Sequence, residues 1–151
     1  MSSKKMKVAF GCHLIAMSIV AAFGLAYLLP GEFMPHHAVA IGMSWEAVSA
    51  PLQFLILGLM RAVGVACLAV FALALFILLV PFRQGAVWAR WALPAGGLLL
   101  AAGSLYPMVF LAMHTPAKPL WMGPAAGAVL ILAGLVLSLV DLIEARKRTS
   151  A

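Results

Sequence analysis

Three histidines are the side chains of this sequence whose types most suggest chemistry. His36 and His37 are adjacent, and His114 follows a long apolar run. Methionine sulfurs occur close to them, at Met34, Met43, Met113 and Met122. Imidazole and thioether groups together form a ligand set that suits copper. The pattern therefore predicts either a copper-like metal site at His36, His37 and His114, or histidines that only cap the protein surface, because nothing in their spacing enforces a site.

A single arginine interrupts the longest apolar run of the chain. Arg61 lies ten residues beyond Pro51, where that run begins. A cation within a membrane helix costs about 3 kcal/mol or more, so we expect Arg61 to face a bundle interior or a wet cavity, with a partner. The two hypotheses are a structural ion pair that ties a neighbouring loop to the helices, and a site for the anionic head group of a ligand.

We predict a ligand-binding pocket around Arg61. Its other predicted members are Trp45 and Glu46 from an apolar loop, Gln53 on the same helix face, and Tyr106 at similar depth in the next apolar run. The competing hypothesis is a loop that merely shields the helix ends. No catalytic residue is predicted, because few polar residues converge within the apolar runs, and the sequence identifies no cofactor.

Composition determines which elements must position these residues. The chain of 151 residues is 66% hydrophobic and 9% charged, whereas a soluble domain carries about 25% charged residues. The net charge of +6 comes from Lys and Arg clustered beside apolar runs, which is typical of a membrane protein and excludes a nucleic-acid partner. The apolar surface is therefore predicted to contact the lipid bilayer.

Four apolar runs are long enough to cross a bilayer, which requires about 20 residues each. They cover about 8–29, 51–80, 91–113 and 120–142, and an apolar outer loop covers 31–50. We therefore predict an all-α fold, a transmembrane four-helix bundle whose outer loop caps the bundle, with residues 1–151 forming one membrane domain.

Basic residues predict the direction of the four spans. Eight of them flank the spans on one side, namely Lys4, Lys5, Lys7, Arg83, Arg90, Arg146, Lys147 and Arg148, against Lys118 on the other. The positive-inside rule then predicts that both termini are cytoplasmic. In the connection between spans two and three, Arg83 and Arg90 beside Trp88 and Trp91 are predicted to anchor at the lipid head groups.

Small residues at four-residue spacing predict where helices approach closely. The first stripe is Ser18, Ala22 and Ala26, the second is Gly58, Ala62 and Ala66, and the third is Gly123 and Gly127, followed by Gly134 and Ser138. These stripes predict contacts within the bundle or between copies of the chain, so a homo-oligomer and a membrane-protein partner both stay open.

The segment PFRQGAVWARWAL, together with FMPHHAVAIG, Trp45, Pro51, Gln53 and Gly64, resembles small bacterial four-helix membrane proteins that are broadly DoxX-like. The resemblance covers spans one to three. It implies a four-helix fold and a location in the bacterial inner membrane, and it implies no activity or catalytic residue.

Two classes of function remain after these observations. Proton-coupled transport is disfavoured, because each of the four acidic residues lies in a loop or at a span end. The sequence favours a non-catalytic protein that binds a lipid- or quinone-like apolar ligand or serves as an accessory subunit of a larger membrane complex. The alternative is a membrane redox or metal-handling component that uses the outer-face histidines.

Overall fold

The computed structural model describes residues 3–149, and these residues are almost entirely helical. They form five α-helices, which are α1 (Lys4–Leu28), α2 (Pro35–Ile41), α3 (Ala50–Ile77), α4 (Ala89–His114) and α5 (Met122–Thr149). A 3₁₀ turn (Trp45–Ala47) precedes α3, and a π-helical turn (Leu78–Phe82) extends it. No strand occurs within residues 3–149.

Local sequence signals explain where several helices begin and end. The Ser3 side chain accepts a hydrogen bond from the backbone N–H of Met6, at 3.1 Å, and so caps the start of α1. Pro35 and Pro51 occupy the first turns of α2 and α3, where the missing N–H has no helical partner to lose. Gly42 ends α2 at φ +67°, a left-handed conformation that glycine adopts without strain.

Four of these helices are long and apolar enough to cross a membrane. They are Lys4–Leu28, Ala50–Phe82, Ala89–His114 and Met122–Arg148. The prediction of an all-α protein with four apolar helices packed together is confirmed.

The helices are arranged with α1 between α3 and α5. Helix α4 packs against α5, whereas α3 and α4 make very little direct contact. Lys5 at the start of α1 forms an ion pair with Glu144 near the end of α5, so both ends of the described chain lie at one end of the bundle. We call this the basic end, and the opposite end, which carries α2, the loop end.

The basic end is closely packed. Met6 and Ala9 of α1 are buried against Leu78 and Phe82 of the π-helical turn and against Leu93 of α4. The π-helical turn thereby fills the space between α3 and α4 that is left open nearer the loop end.

Glycines allow α1 and α3 to cross closely. A Cβ atom added to Gly64 would lie 2.7 Å from the carbonyl oxygen of Gly24, so only a glycine fits there. The stripes predicted for the first two spans do not form helix contacts within the bundle, because their residues are exposed, namely Ser18, Ala22, Ala26, Gly58, Ala62 and Ala66. Contacts of these stripes between copies of the chain stay a prediction. Four-residue spacing places residues on one face, but it does not say which face meets another helix.

The loop between α1 and α3 folds onto the end of the bundle. Phe33 and Val48 from this loop are buried with Met60 of α3, and Tyr27 and Trp45 pack against them. The Phe33 and Trp45 rings meet edge to face with centroids 5.0 Å apart. This small core holds the loop, including α2, over the loop end of α1 and α3.

Candidate functional site

A cavity of about 520 Å³ lies between α1, α4 and α5 in the loop-end half of the bundle. Its floor includes Ala16, Gly97 and Ile131, and its roof is formed by Met34, Pro35 and His36 at the start of α2. The remaining lining residues are mostly aliphatic or aromatic. They come from these three helices, from α3 at Cys67 and from the connection between α4 and α5 at Leu120, namely Ile19, Val20, Ala22, Phe23, Ala26, Tyr27, Cys67, Leu100, Ala101, Ser104, Met108, Leu120, Met122, Gly123, Pro124 and Gly127. This volume falls within the usual range for small-molecule sites.

Small side chains on α5 create the empty volume. Gly127 is buried, yet a Cβ atom added to it would meet no atom within 4 Å. At Gly123 the nearest atom would be a methyl of Ile19, 3.9 Å away. The close helix contact predicted at this pair does not occur within the described residues, where the pair borders a cavity instead.

A second cavity of about 320 Å³ adjoins the first. Both are lined by Phe23, Tyr27, His36, Ser104 and Met108. The second cavity also has walls from α3 and α4, at Val63, Gly103, Pro107 and Leu111. It therefore lies where these two helices do not pack against each other.

The few polar groups of the two cavities are uncharged. Tyr27 and Ser104 contribute hydroxyl groups, and neither hydroxyl forms a hydrogen bond with another described residue. His36 and His37 contribute imidazoles from α2. No Lys, Arg, Asp or Glu is among the lining residues of either cavity in the described chain. The site thus offers hydrogen bonds to a ligand whose remaining surface is apolar.

Burial keeps the two imidazoles of α2 neutral. It lowers the pKa of His36 below its ordinary value of 6.5, and it lowers the pKa of His37, where the neighbouring His36 adds a smaller effect in the same direction. Their rings lie 4.3 Å apart, and the His37 ring lies 6.2 Å from the ring of Tyr27. Near pH 7 this roof therefore presents neutral donors and acceptors to the cavity.

Arg61 lies outside this site, on an exposed face of α3. The expectation that it faces the bundle interior is wrong, and the reason is its orientation on the helix. The adjacent Met60 is 4% exposed and packs with Phe33 and Val48 of the loop, whereas Arg61 lies on the exposed side of α3. A Cβ on Gly64 would lie 2.9 Å from the backbone nitrogen of Leu28, so Gly64 is level with the end of α1. Arg61 is three residues, or about 4.5 Å, further toward the loop end, beyond the end of α1.

The other predicted pocket residues do not line either cavity. The Gln53 side-chain amide donates a hydrogen bond to the backbone oxygen of Trp45, at 2.8 Å, so these two residues are brought together. Glu46 is exposed at the surface of the loop. Tyr106 is 74% exposed on α4 and stacks on Phe110. Their role in ligand binding stays a prediction.

The histidines of the predicted metal site are placed in two different settings. His36 and His37 lie side by side in α2, whereas His114 is exposed at the end of α4, where its Nδ1 donates to the Phe110 carbonyl at 2.8 Å. Within residues 3–149, no group of three His, Cys, Asp or Glu is placed to hold a metal ion. The metal site stays a prediction to which this arrangement adds no support.

Arg90 forms the buried polar contact of the basic end. The residue is 8% exposed, and its side chain donates to the Ser138 carbonyl at 2.8 Å and to the Asp141 carboxylate at 3.2 Å. The prediction that Arg90 anchors at lipid head groups is therefore wrong, because its guanidinium forms a buried ion pair with Asp141 on α5. His13 is also buried, edge to face with Phe82, and its ring lies against Gly134.

Sequence reasoning missed most of the residues that line the cavities. Tyr27 and Ser104 were detectable signals, since each is a polar side chain within an otherwise apolar span. The apolar lining residues Phe23 and Met108 carried no such signal. Comparison of the chain with protein-family models, curated proteins and solved structures finds no match to any of them.

Proposed function

We propose that this protein binds a neutral, membrane-soluble molecule of lipid- or quinone-like character in the loop-end cavities, as a non-catalytic binding protein or as an accessory subunit of a larger membrane complex. The ligand carries one or two oxygen atoms that hydrogen-bond to the protein, and its remaining surface is apolar.

The observation that carries this proposal is the chemistry of the cavity wall. About 520 Å³ is lined mostly by apolar side chains, with uncharged polar groups from Tyr27, Ser104 and His36 grouped toward the loop end. A charged head group would lose its hydration there without gaining an ionic partner, which disfavours phospholipids and fatty acids in their ionised forms. A carbonyl or hydroxyl head group has no such cost.

The location that we propose is the bacterial inner membrane, with the basic end in the cytoplasm. The eight basic residues that flank the spans at that end support the orientation. The bacterial assignment rests on the resemblance of the segment around Phe82 and Trp91 to DoxX-like proteins, to which the comparison with protein-family models adds no support. In this orientation the ligand site lies in the outer half of the bilayer.

The test is a substitution at Gly127 whose side chain fills part of the cavity. Gly127→Leu places an isobutyl group in the empty volume, since no atom lies within 4 Å of its Cβ. Native mass spectrometry then compares the purified variant and wild-type proteins for co-purifying small molecules and for binding of added decylubiquinone and dioleoylglycerol. We expect the wild-type protein to bind at least one of them and Gly127→Leu to lose that binding.

Gly96→Leu is the matched control. Gly96 is an exposed helical residue outside both cavities, and its Cβ would also meet no atom within 4 Å. This variant is expected to bind like the wild-type protein. Equal binding by Gly127→Leu and Gly96→Leu contradicts the proposed site, and stoichiometric copper or zinc bound through the histidines would favour the metal-handling alternative.

A further inference from the structure

The second cavity is positioned to join the ligand site to the bilayer. Val63 on α3 and Gly103 on α4 are both exposed, and both line this cavity. The two helices that carry them make very little contact with each other, in contrast to the close pairs formed by α1 with α3 and with α5. The bundle is therefore open at its side, between α3 and α4, at a depth where the helices are apolar.

The bottom of this opening is closed. Towards the basic end, Leu78 and Phe82 of the π-helical turn are buried against Leu93 of α4 and seal the gap. Towards the loop end, His36 and His37 of α2 and Pro119 border the second cavity. The opening thus occupies only the loop-end half of the α3–α4 side.

The polar groups and the opening set a direction for a bound molecule. His36, Tyr27 and Ser104 line both cavities, so a hydrogen-bonding head group satisfied by them lies where the two cavities meet. The larger cavity accepts apolar substituents of the head group, and the second cavity offers an apolar path for a chain longer than the larger cavity. Gly103, which has no side chain and no atom within 4 Å of an added Cβ, leaves that path free.

We infer that the opening between α3 and α4 is a lateral portal. Through it a neutral amphiphile enters from the outer leaflet of the bilayer, and its alkyl chain remains in the portal while its head group lies under α2. This inference rests on the proposed function and specifies for it the ligand class, a neutral head on a long alkyl chain, and the route of entry.

The experiment measures how the portal discriminates by chain length. Gly103→Trp fills the opening from an exposed position that tolerates added volume, and Gly96→Trp, seven residues earlier on the same helix and outside both cavities, is the control. Wild-type and variant proteins in phosphatidylcholine nanodiscs are titrated with two pairs of probes. One pair is decylubiquinone and its chain-free quinone head, and the other is dioleoylglycerol and glycerol diacetate.

Consider the probe pair that the wild-type protein binds. We expect Gly103→Trp to bind the long-chain member of this pair at least about tenfold more weakly than Gly96→Trp does. The chain-free member is expected to bind equally to both variants. Equal binding of long-chain probes by Gly103→Trp and Gly96→Trp would overturn the portal. If Gly127→Leu abolishes binding in that case, the proposed function stands although the portal does not. Equal loss of both members would also overturn the portal, since it would assign Gly103 to the head-group site. Binding of no probe by the wild-type protein would overturn the proposed function and the portal together.

Discussion

Gly127 and Gly134 lie seven residues apart on α5, and both are buried. Despite this likeness, a Cβ on Gly127 would meet nothing within 4 Å, whereas a Cβ on Gly134 would lie 2.7 Å from Nε2 of His13. The two positions represent the two halves of the bundle. In the loop-end half small residues leave an unfilled cavity, and in the basic-end half they make room for a neighbouring side chain.

This difference separates stability from binding. The basic end combines a buried aliphatic cluster with the Arg90–Asp141 ion pair and the Lys5–Glu144 ion pair, which link α4 and α1 to α5. At the loop end, a cavity lies between the same three helices, α1, α4 and α5. The residues that line it lack the dispersion contacts that a filled core would make. We therefore expect substitutions at the basic end to reduce folding stability, and substitutions at the loop end to change ligand binding.

The largest expected effect comes from breaking the buried ion pair. Asp141→Ala leaves the guanidinium of Arg90, a residue that is 8% exposed, without its carboxylate partner. The expected loss in the free energy of unfolding is about 3–5 kcal/mol, because an uncompensated buried charge remains. Unfolding in mixed micelles, followed by circular dichroism, measures it.

The control for this prediction replaces both partners. The double variant Arg90→Leu with Asp141→Leu removes the charge together with its partner, so most of the lost stability is expected to return. If the free energy of unfolding of Asp141→Ala is within about 1 kcal/mol of the wild-type value, the ion pair contributes little to the packing of α4 on α5.

The next largest effect is expected from replacing Gly134 and Gly127 with leucine. Gly134→Leu forces a side chain against the His13 ring and is expected to cost about 1–3 kcal/mol. Gly127→Leu is expected to leave stability unchanged or to raise it slightly, since the side chain enters empty space. The same unfolding assay compares them, and His13→Ala is expected to relieve part of the Gly134→Leu effect. Similar losses in both variants would mean that the two halves do not differ in this way.

A smaller effect is expected from pH at the roof of the cavity. Because burial lowers the pKa of His36 and His37, the folded protein resists protons that the unfolded chain binds below pH 6.5. The stability of the cap is therefore complete above pH 6.5, falls as the pH drops below that value, and levels off beneath the folded pKa values.

Ligand binding is expected to weaken as the pH falls through the lowered pKa values of His36 and His37 in the folded protein, because protonation places a charge against a neutral head group. Titration of the bound probe between pH 8 and 5 measures it. Replacing His36 and His37 with Gln should remove the dependence, while His114→Gln, at an exposed residue outside both cavities, should retain it. A dependence that survives the double replacement would assign the effect to other groups.

The smallest effect is expected at the exposed ion pair. The side chains of Lys5 and Glu144 are 39% and 42% exposed, so solvent screens their attraction and Glu144→Gln is expected to cost less than about 1 kcal/mol. Comparison with Asp141→Ala on the same helix shows whether burial determines how much each ion pair of the basic end contributes to stability. Equal losses in the two variants would contradict that explanation.

The fold was largely predictable, and the candidate site was largely not. The four apolar runs identify the membrane helices because hydropathy and length are properties of a segment alone. Arg61 was misplaced because its depth along α3 can be read from the sequence but the direction it faces cannot, and the adjacent Met60 occupies the buried face. Arg90 was misplaced because a basic residue beside tryptophans is typical of an interface, and its partner Asp141 lies 51 residues away in sequence.

Hydropathy and charge along the chain were enough to predict four apolar helices, eight basic residues at one end of them, and a loop before α3 that is too apolar to remain in solvent. These are consequences of transfer free energies summed along single segments. Helix packing, in contrast, sets the separation of α3 from α4, the contacts of α1 with α3 and α5, the void beside Gly127 and the histidine beside Gly134. Such features depend on the relative rotation and depth of packed helices, which no single segment specifies.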